Sequence, residues 1–403
     1  MSNNIVIIGG SIAAISAIKA IREVESESRI HLFQDEKLYP YNRIKLTKNL
    51  FGNLDEKDVL LQKIEWYGAN KVDLYLNNKI VRINVEEQEC IASSGSKIQY
   101  DKLLLSTGST NFKPAIEGID KENVYTIRHL EDAWNLRDII ENNAVVVNIG
   151  GGIQGLETTW ELNKQGKMVS IVEIQSRLMP RQLDQRSSEI LKYVIESFNI
   201  KVLLNTKIKK VIGNNSVEGV LTDGGNIIDC NILGYSVGTR SNIDILEHTS
   251  IESNKGIIVN NRMQTNVKNI YAAGDVAEFD DKVPGLWNIA IEQGKTAGYN
   301  IAGKDTIYKN IVPVTTLNAF GISLFSMGNV DETKCDETLV DDNSSNTSHK
   351  RIFISGNKIV GASVIGDTKR SPVLKSAIEN QTPLNDFHIP NISIEDLLNK
   401  LKK

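Results

Sequence analysis

The sequence predicts an α/β fold built on two Rossmann-like units, because two phrases of the same pattern stand far apart in the chain. The first phrase is IVIIGGSIAA (5–14) and the second is VVVNIGGGIQGLE (145–157). In each phrase a β-branched run ends in a glycine-rich turn that opens a helix, and a second strand follows within about thirty residues. This change from the residue period of a strand to that of a helix and back is typical of a βαβ crossover, which places the two strands parallel in one sheet.

The bulk composition is that of a globular chain with more than one domain. The 403 residues exceed what one ordinary core holds, and contents of 40% hydrophobic and 24% charged residues are ordinary for soluble proteins. A formal net charge of −4 gives no sign of the excess of basic residues that is typical of nucleic-acid-binding proteins. No apolar run approaches the length that crosses a membrane. Because no signal-peptide pattern is visible, we expect a cytoplasmic protein.

Cysteine and histidine residues are scattered along the chain. Cys90, Cys230 and Cys335 form no CxxC pair, which argues against a disulfide framework, a zinc site or an iron–sulfur cluster. We expect Cys90 to be a buried thiol in a strand. The five histidines suggest no metal site and no general base, since they are dispersed at positions 31, 129, 248, 349 and 388.

The second phrase carries the full G-x-G-x-x-G pattern of a dinucleotide-binding turn. Gly150 permits the tight turn, Gly152 lets the backbone approach a pyrophosphate, and Gly155 allows close packing of helix and strand. Glu173, at the end of the second strand, is expected to accept hydrogen bonds from both ribose hydroxyls and to repel a 2′-phosphate, which favours NADH over NADPH. The alternative is a glycine-rich turn in an unrelated α/β domain with an incidental surface glutamate.

The first phrase departs from the pattern at two positions. Gly9 begins the turn, but Ser11 stands in place of the second glycine and Ala14 in place of the third. Alanine still allows close packing, whereas the serine Cβ narrows the approach to a pyrophosphate, although its hydroxyl can donate to a phosphate oxygen. Asp35 and Glu36 end the second strand of this unit. Taken alone, the phrase also fits a structural βαβ unit that binds no ligand.

Six phrases, taken in their order and spacing, resemble the FAD-dependent pyridine nucleotide oxidoreductases that lack redox-active cysteines. Beside the two turns they are EKLYPYNRIKLTK (36–48), LLLSTGS (103–109), GYSVGTRSN (234–242) and IYAAGDVAE (270–278). The nearest subgroups are the NADH:rubredoxin oxidoreductases, the ferredoxin reductases and the reductase part of NADH-dependent nitrite reductases. The resemblance implies FAD at the first turn and NADH at the second, which accounts for the presence of two turns.

The resemblance also implies that the NAD-binding domain is inserted in the FAD-binding domain. The expected divisions are 1–112 with 241–310 for the FAD-binding domain, 113–240 for the NAD-binding domain, and 311–403 for a small α+β C-terminal interface domain. In that last domain we expect hairpin-like strands, a polar loop at 341–346 and a terminal helical stretch.

The resemblance also implies roles around FAD for particular side chains. Glu36 is expected to bind the adenosine ribose, and Arg43 to lie along the cofactor. Asp275, in AAGD, is expected to accept a hydrogen bond from the ribityl chain, and Thr107 and Gly108, in LLLSTGS, belong to the same site. The alternatives are that Asp275 is a turn residue and that Arg43 is an ordinary surface charge.

Lys48 and Glu157 are the expected catalytic pair. The resemblance places Lys48 along the flavin and makes Glu157 the acid that often pairs with this lysine above the flavin ring. The alternative is that both are surface charges. The helix after Trp287 is expected to direct its positive end at the flavin edge where negative charge develops on reduction.

No cysteine stands where thiol-dependent members of the family carry one. Residues 36–52 contain no cysteine, so electrons are expected to leave from the flavin itself. The resemblance therefore implies an enzyme that passes hydride from NADH to FAD and then single electrons to a small redox protein. Rubredoxin is the first candidate for this acceptor, and ferredoxin is the second.

Two alternatives remain open at this stage. One is an electron-input module for a nitrite reductase or an NADH oxidase system, in which any iron chemistry would belong to another polypeptide because cluster-binding cysteines are missing. The other is a regulatory protein that holds FAD and NADH without turnover, to which Ser11 and Ala14 point. Either a monomer or a homodimer fits the sequence.

Overall fold

The computed structural model describes residues 3–141, 143–342, 347–385 and 392–402. His388 and positions 343–346 of the predicted polar loop lie outside the described residues. The chain forms two compact units. Unit 1 comprises Met1–Leu46, Gly52–Phe112 and Gly238–Asn310, and unit 2 comprises Thr47–Phe51, Lys113–Val237 and Ile311–Lys403. In the described part of the chain, no helix has the length and apolarity needed to cross a membrane.

Unit 1 is organised around a five-stranded parallel sheet with the first strand at its centre. Asn4–Ile8 pairs on one side with Arg29–Phe33 and on the other with Lys102–Leu105. The outer strands are Val72–Tyr75 and Ile270–Ala272. The strand order therefore reverses at the central strand, and open α/β sheets bind their ligands in the crevice that forms there, at the carboxyl ends of the strands.

Short strands and helices complete unit 1. An antiparallel meander consists of Ile80–Asn84, Glu89–Ala92 and Lys97–Gln99; Ser109–Asn111 pairs with Thr239–Ser241, and Ile257–Ile258 pairs with Ala277–Glu278. The helices are Ile12–Val24, Glu56–Val59, Ile64–Ala69 and Trp287–Ile301, with a 3-10 turn at Asp244–Leu246. The helix Lys45–Lys48 begins in unit 1 and ends in the Thr47–Phe51 segment of unit 2.

Two glycines allow the first and last long helices of unit 1 to pack with their backbones nearly in contact. A Cβ at Gly294 would lie 2.3 Å from the carbonyl oxygen of Ala13, and a Cβ at Gly298 would lie 2.3 Å from that of Ala17. A side chain at either glycine would push the two helices apart. This contact fixes the helix that begins directly after the Gly9 turn.

Unit 2 repeats the arrangement of unit 1. Its five-stranded parallel sheet has Val145–Ile149 at the centre, flanked by Met168–Val172 and Ile232–Tyr235, with Lys201–Leu203 and Val124–Tyr125 outside. A meander of Ile208–Ile212, Gly219–Thr222 and Ile227–Asp229 corresponds to the meander of unit 1. The helices of this part are Leu130–Ile139, Ile153–Lys164 and Gln185–Glu196. The α/β prediction is confirmed, and the correspondence extends beyond the two predicted phrases to the meanders.

The C-terminal part of unit 2 is a five-stranded antiparallel sheet with helices. Its strand order is Val314–Ala319, Ile322–Gly328, Lys358–Ile365, His349–Ser355 and Glu337–Asp342. The helices are Ser371–Glu379 and Ile394–Leu401, with a 3-10 turn at Glu332–Lys334. The predicted hairpins and terminal helix are confirmed. Leu156 and Ile190 share a hydrophobic cluster with Phe320 and Ile365, so both parts belong to one compact unit. The division at residue 310 stays a prediction.

A buried polar network joins the C-terminal sheet to the helix that follows Asp184. The carboxylate of Asp184 caps this helix, because it accepts from the Ser187 backbone N–H at 3.1 Å and from the Ser187 hydroxyl at 2.7 Å. The hydroxyls of Ser187 and Ser363 lie 2.9 Å apart. The buried ring of His349 lies between two carboxylates, with Nε2 3.5 Å from Asp184 Oδ1 and Nδ1 3.4 Å from Asp342 Oδ1.

The ionised form of Asp184 stabilises this junction. Burial by itself raises the pKa of Asp184, but the neighbouring His349 and the hydrogen bonds from Ser187 outweigh burial and lower the pKa below its ordinary value. A carboxyl with a lower pKa in the folded than in the unfolded chain contributes its full stability above the unfolded pKa, which is about 3.9 for Asp. This contribution is lost as the pH falls through the folded pKa.

We predict that Asp184→Asn lowers the free energy of unfolding at pH 7 by about 1–3 kcal/mol, because the charge and one buried acceptor are lost. The difference in unfolding free energy from the wild-type protein should shrink below about pH 4, because the wild-type chain then also loses the stabilisation that ionised Asp184 provides. Urea unfolding at both pH values measures this. Asp342→Asn, on the more exposed side of His349, is the matched control. An equal loss in the control, or a difference that does not change with pH, would contradict the assignment.

Candidate functional site

The Gly9 turn at the end of the central strand of unit 1 requires glycine. The φ angle of Gly9 is +100°, and a Cβ there would lie 2.2 Å from the carbonyl oxygen of Ser106. Ser11 occupies the N-cap of the following helix, but its hydroxyl makes no capping hydrogen bond to the described residues. Ala14 is fully buried. The first backbone N–H groups of this helix therefore have no side-chain cap from Ser11, which suits an anionic ligand.

A cavity of about 200 Å³ lies beside the Gly9 turn in unit 1. Asp35 and Lys79 bring opposite charges to its wall, and Thr107 and Asn242 line it together. The Thr107 hydroxyl donates to the Asn242 carbonyl at 2.9 Å, and the Asn242 amide donates back to the Thr107 carbonyl at 2.8 Å. This reciprocal pair holds the wall rigidly where the strand ends.

Glu36 is engaged by other protein side chains. The Tyr41 hydroxyl donates to one Glu36 oxygen at 2.6 Å, and the Arg43 guanidinium pairs with the other oxygen. Arg43 also donates to the Tyr41 hydroxyl at 3.0 Å. Of the two adjacent acids, Asp35 lines the cavity beside Gly9. The structure therefore brings Glu36 and Arg43 together, while the ribose role of Glu36 stays a prediction.

Asp275 is fixed by two serine hydroxyls. Ser109 donates to its carboxylate at 3.0 Å, and Ser241 donates to its backbone carbonyl at 2.9 Å. Both bonds hold the AAGD turn in place within unit 1. The predicted FAD-binding residues that unit 1 contains are Gly9, Ser11, Ala14, Glu36, Arg43, Thr107, Gly108 and Asp275.

The Gly150 turn of unit 2 has the same geometry as the Gly9 turn. The φ angle of Gly150 is +112°, and a Cβ would lie 2.5 Å from the carbonyl oxygen of Ser236. A Cβ at Gly155 would lie 2.3 Å from the Gly150 carbonyl oxygen, which shows that helix and strand pack too closely for a side chain. At Gly152, by contrast, no atom in the described ranges lies within 4 Å of an added Cβ, apart from Gly152 itself and its two chain neighbours. The backbone at Gly152 is therefore open to a ligand.

Glu173 lies beneath the Gly150 turn as a buried carboxylate. It accepts from the Gly151 N–H at 2.6 Å and from the Gln175 N–H at 2.8 Å. A carboxylate oxygen can accept a second hydrogen bond, so these contacts leave acceptor capacity for ribose hydroxyls. The coenzyme role of Glu173 stays a prediction.

Two buried polar atoms at these turns lack a hydrogen-bond partner among the residues described. They are Gln34 Oε1, next to Gly10, and Ser236 Oγ, next to Gly155. Buried polar groups in folded proteins are nearly always hydrogen-bonded, so an unpaired group at a turn marks a place for water or a ligand. Together with the open backbone at Gly152, these atoms fit a nucleotide at each turn.

The structure places Lys48 and Glu157 side by side in unit 2. Lys48 Nζ lies 3.6 Å from Glu157 Oε1, and the Thr47 hydroxyl donates to Glu157 Oε2 at 2.5 Å. Burial raises the pKa of Glu157, while the hydrogen bond from Thr47 and the charge of Lys48 act in the opposite direction. The role of Thr47 could not be predicted from the sequence, because a residue in a four-residue helix follows no period and its partner is 110 positions away.

The buried thiols are chemically inert. Burial raises the pKa of Cys90 and of Cys230 to about 12, so both stay protonated at neutral pH. Cys90 lies in the strand Glu89–Ala92, as predicted. The described ranges contain no group of three or more His, Cys, Asp or Glu side chains that would hold a metal ion.

Sequence comparisons agree with this geometry. The profile of the pyridine nucleotide-disulphide oxidoreductases matches residues 3–294, and that of the rubredoxin NAD+ reductase C-terminal domain matches residues 313–382. The chain is 32% identical to NADH-rubredoxin oxidoreductase of Clostridium acetobutylicum over 99% of this chain and 100% of that protein. It is also 32% identical to nitrite reductase [NAD(P)H] of Bacillus subtilis, over 95% of this chain but only 48% of that protein.

Solved structures show the same fold. The superposition on the crystal structure of NADH:rubredoxin oxidoreductase from Clostridium acetobutylicum covers 99% of this chain and 100% of that chain, with a TM-score of 0.82 and 31% identity. A ferredoxin reductase from Rhodopseudomonas palustris gives a TM-score of 0.89 at 21% identity, covering 99% of both chains, which shows the fold alone. The family predicted from the six phrases is confirmed: the chain belongs to the pyridine nucleotide-disulphide oxidoreductases.

Proposed function

We propose that this chain is a flavoprotein oxidoreductase that takes hydride from NADH onto FAD and passes single electrons to a small redox protein, with rubredoxin as the first candidate. The similarity to the Clostridium NADH-rubredoxin oxidoreductase over the whole length of both chains carries this proposal. The paired glycine turns support it, because each has the geometry that a dinucleotide needs.

Unit 1 supplies the residues for FAD. Gly9 and Ser11 would hold the pyrophosphate at the start of the first helix, and Asp275 would accept from the ribityl chain. Of the two acids after the second strand, Asp35 is better placed for the ribose than Glu36, because it lines the cavity and Glu36 is held by Arg43. When bound, FAD supplies a ring that accepts hydride and releases electrons one at a time.

Unit 2 supplies the residues for NADH. Gly152 would let the pyrophosphate approach the backbone, and Glu173 would accept from the adenosine ribose. A 2′-phosphate would meet the buried charge of Glu173, so NADH is preferred over NADPH. Lys48 and Glu157 form a charged pair that would position the reacting rings.

The thiol chemistry of other family members is not proposed for this chain. Residues 36–52 contain no cysteine, and the thiols of Cys90 and Cys230 are buried and protonated. Electron transfer to the acceptor protein would therefore not pass through either of these two thiols. A cytoplasmic location fits this role.

The second candidate function is an electron-input module for a larger reductase. The chain spans about half the length of the nitrite reductase of Bacillus subtilis, at 48%, and of its assimilatory nitrate reductase electron transfer subunit, at 50%. In this case the acceptor would be a further domain or polypeptide, and free rubredoxin would be a poor substrate.

Anaerobic mixing with NADH, followed by addition of oxidised rubredoxin, tests the proposal. We expect NADH to bleach the flavin absorbance and rubredoxin to restore it rapidly, because the chain has its own hydride acceptor and no thiol relay. Ferredoxin is the matched acceptor control. Bleaching without reoxidation by either carrier would favour the input-module function, and no bleaching would overturn the oxidoreductase proposal.

Two glycine variants separate nucleotide binding from folding. Gly152→Val should cost at most about 1 kcal/mol of stability, because the added side chain meets open space, yet it should weaken NADH binding at least about tenfold, or about 1.4 kcal/mol. Gly155→Val should cost about 1–3 kcal/mol of stability, since its Cβ collides with the Gly150 carbonyl.

Thermal unfolding and NADH titration of the purified variants measure both effects. The Gly152 variant should stay yellow, because FAD is assigned to the other turn. Normal NADH affinity in that variant, or loss of FAD in place of NADH, would contradict the assignment of the two turns.

A further inference from the structure

Thr47 makes a contact with Glu157 that the proposed function leaves unexplained. Its hydroxyl donates to Glu157 Oε2 at 2.5 Å, a distance typical of a hydrogen bond to an ionised carboxylate. Both side chains are buried, with 7% of Thr47 and 8% of Glu157 exposed. The other oxygen of Glu157 is the one that faces Lys48, at 3.6 Å. The hydroxyl therefore fixes which oxygen is turned toward the lysine.

The surroundings of Glu157 make its protonation sensitive to this hydrogen bond. Burial is the largest influence on Glu157 and raises its pKa, whereas the Thr47 hydroxyl and Lys48 act in the opposite direction. The Lys48 side chain is 46% exposed, so solvent screens its charge, whereas the Thr47 hydroxyl acts in the buried interior. The charge of Glu161, on the same helix, raises the pKa of Glu157 as burial does, although Glu161 is itself paired with Lys164 at 2.6 Å.

We propose that Thr47 is a positioning residue that keeps Glu157 ionised and oriented so that its Oε1 atom faces Lys48. The inference rests on the proposed function for the role of the Lys48–Glu157 pair in hydride transfer. Thr47 itself need not touch either nucleotide. Serine should replace Thr47, because it keeps the hydroxyl, and valine should fail, because it keeps only the shape.

The first test measures protonation of Glu157 directly in the protein as purified, without NADH. Infrared difference spectra recorded across a pH series follow the carboxyl band, which Glu157→Gln identifies by its absence. In Thr47→Val we expect the titration to move upward by about one pH unit, since a hydrogen bond to a charged group is lost. Thr47→Ser should titrate like the wild-type protein. If the valine variant does not fold, Thr47→Ala replaces it.

The second test is the pH profile of flavin reduction by NADH in the same variants. The acidic limb should move upward with the Glu157 titration in Thr47→Val and stay in place in Thr47→Ser. Equal Glu157 titration in the wild-type and Thr47→Val proteins would overturn the inference. Failure of NADH to reduce the wild-type flavin would instead defeat the proposed function, and the infrared titration would still decide the role of Thr47.

Discussion

Each unit depends on a glycine turn that passes too close to the neighbouring strand for any side chain. Gly9 and Gly150 both adopt positive φ angles, and an added Cβ would meet the carbonyl of Ser106 in one unit and of Ser236 in the other. Because the turn is this tight, the following helix begins directly over the carboxyl end of the central strand. At Gly152 of unit 2 a nucleotide phosphate would then meet backbone N–H groups without an intervening side chain, whereas Ser11 stands at the corresponding position of unit 1. The same constraint is met twice in this chain, which supports the proposal that one nucleotide binds at each turn.

The roles of the two units differ in the charges placed around those turns. In unit 1, Asp35 and Lys79 line a cavity, while Glu36 forms an ion pair with Arg43. In unit 2, Glu173 and Glu157 are both buried, and desolvation disfavours the charged form of a buried carboxyl. Buried carboxylates of this kind retain their charge only where donors are fixed around them. Backbone N–H groups fix Glu173, and a hydroxyl with a lysine fixes Glu157.

The parts of the fold and site that follow local rules could be predicted from the sequence. Glycine spacing identified both turns, and the prediction that Cys90 is a buried thiol in a strand is confirmed. Contacts between distant segments could not be predicted. Asp35 and Glu36 are chemically similar neighbours, and only the direction of the chain after the strand decides which one lines the cavity. Thr47 and the Asp184–His349 contact carry no periodic signal, because their partners come from other parts of the chain.

We infer that the flavin is the one redox centre of this chain, and that it takes electrons from NADH and gives them to a protein acceptor. Anaerobic titration of the FAD-loaded protein with NADH tests this inference. We expect full loss of flavin absorbance after about one NADH per FAD, because one hydride carries the two electrons that the flavin accepts. A requirement for about two NADH per FAD would reveal a second two-electron centre, such as a thiol pair, and would overturn this inference.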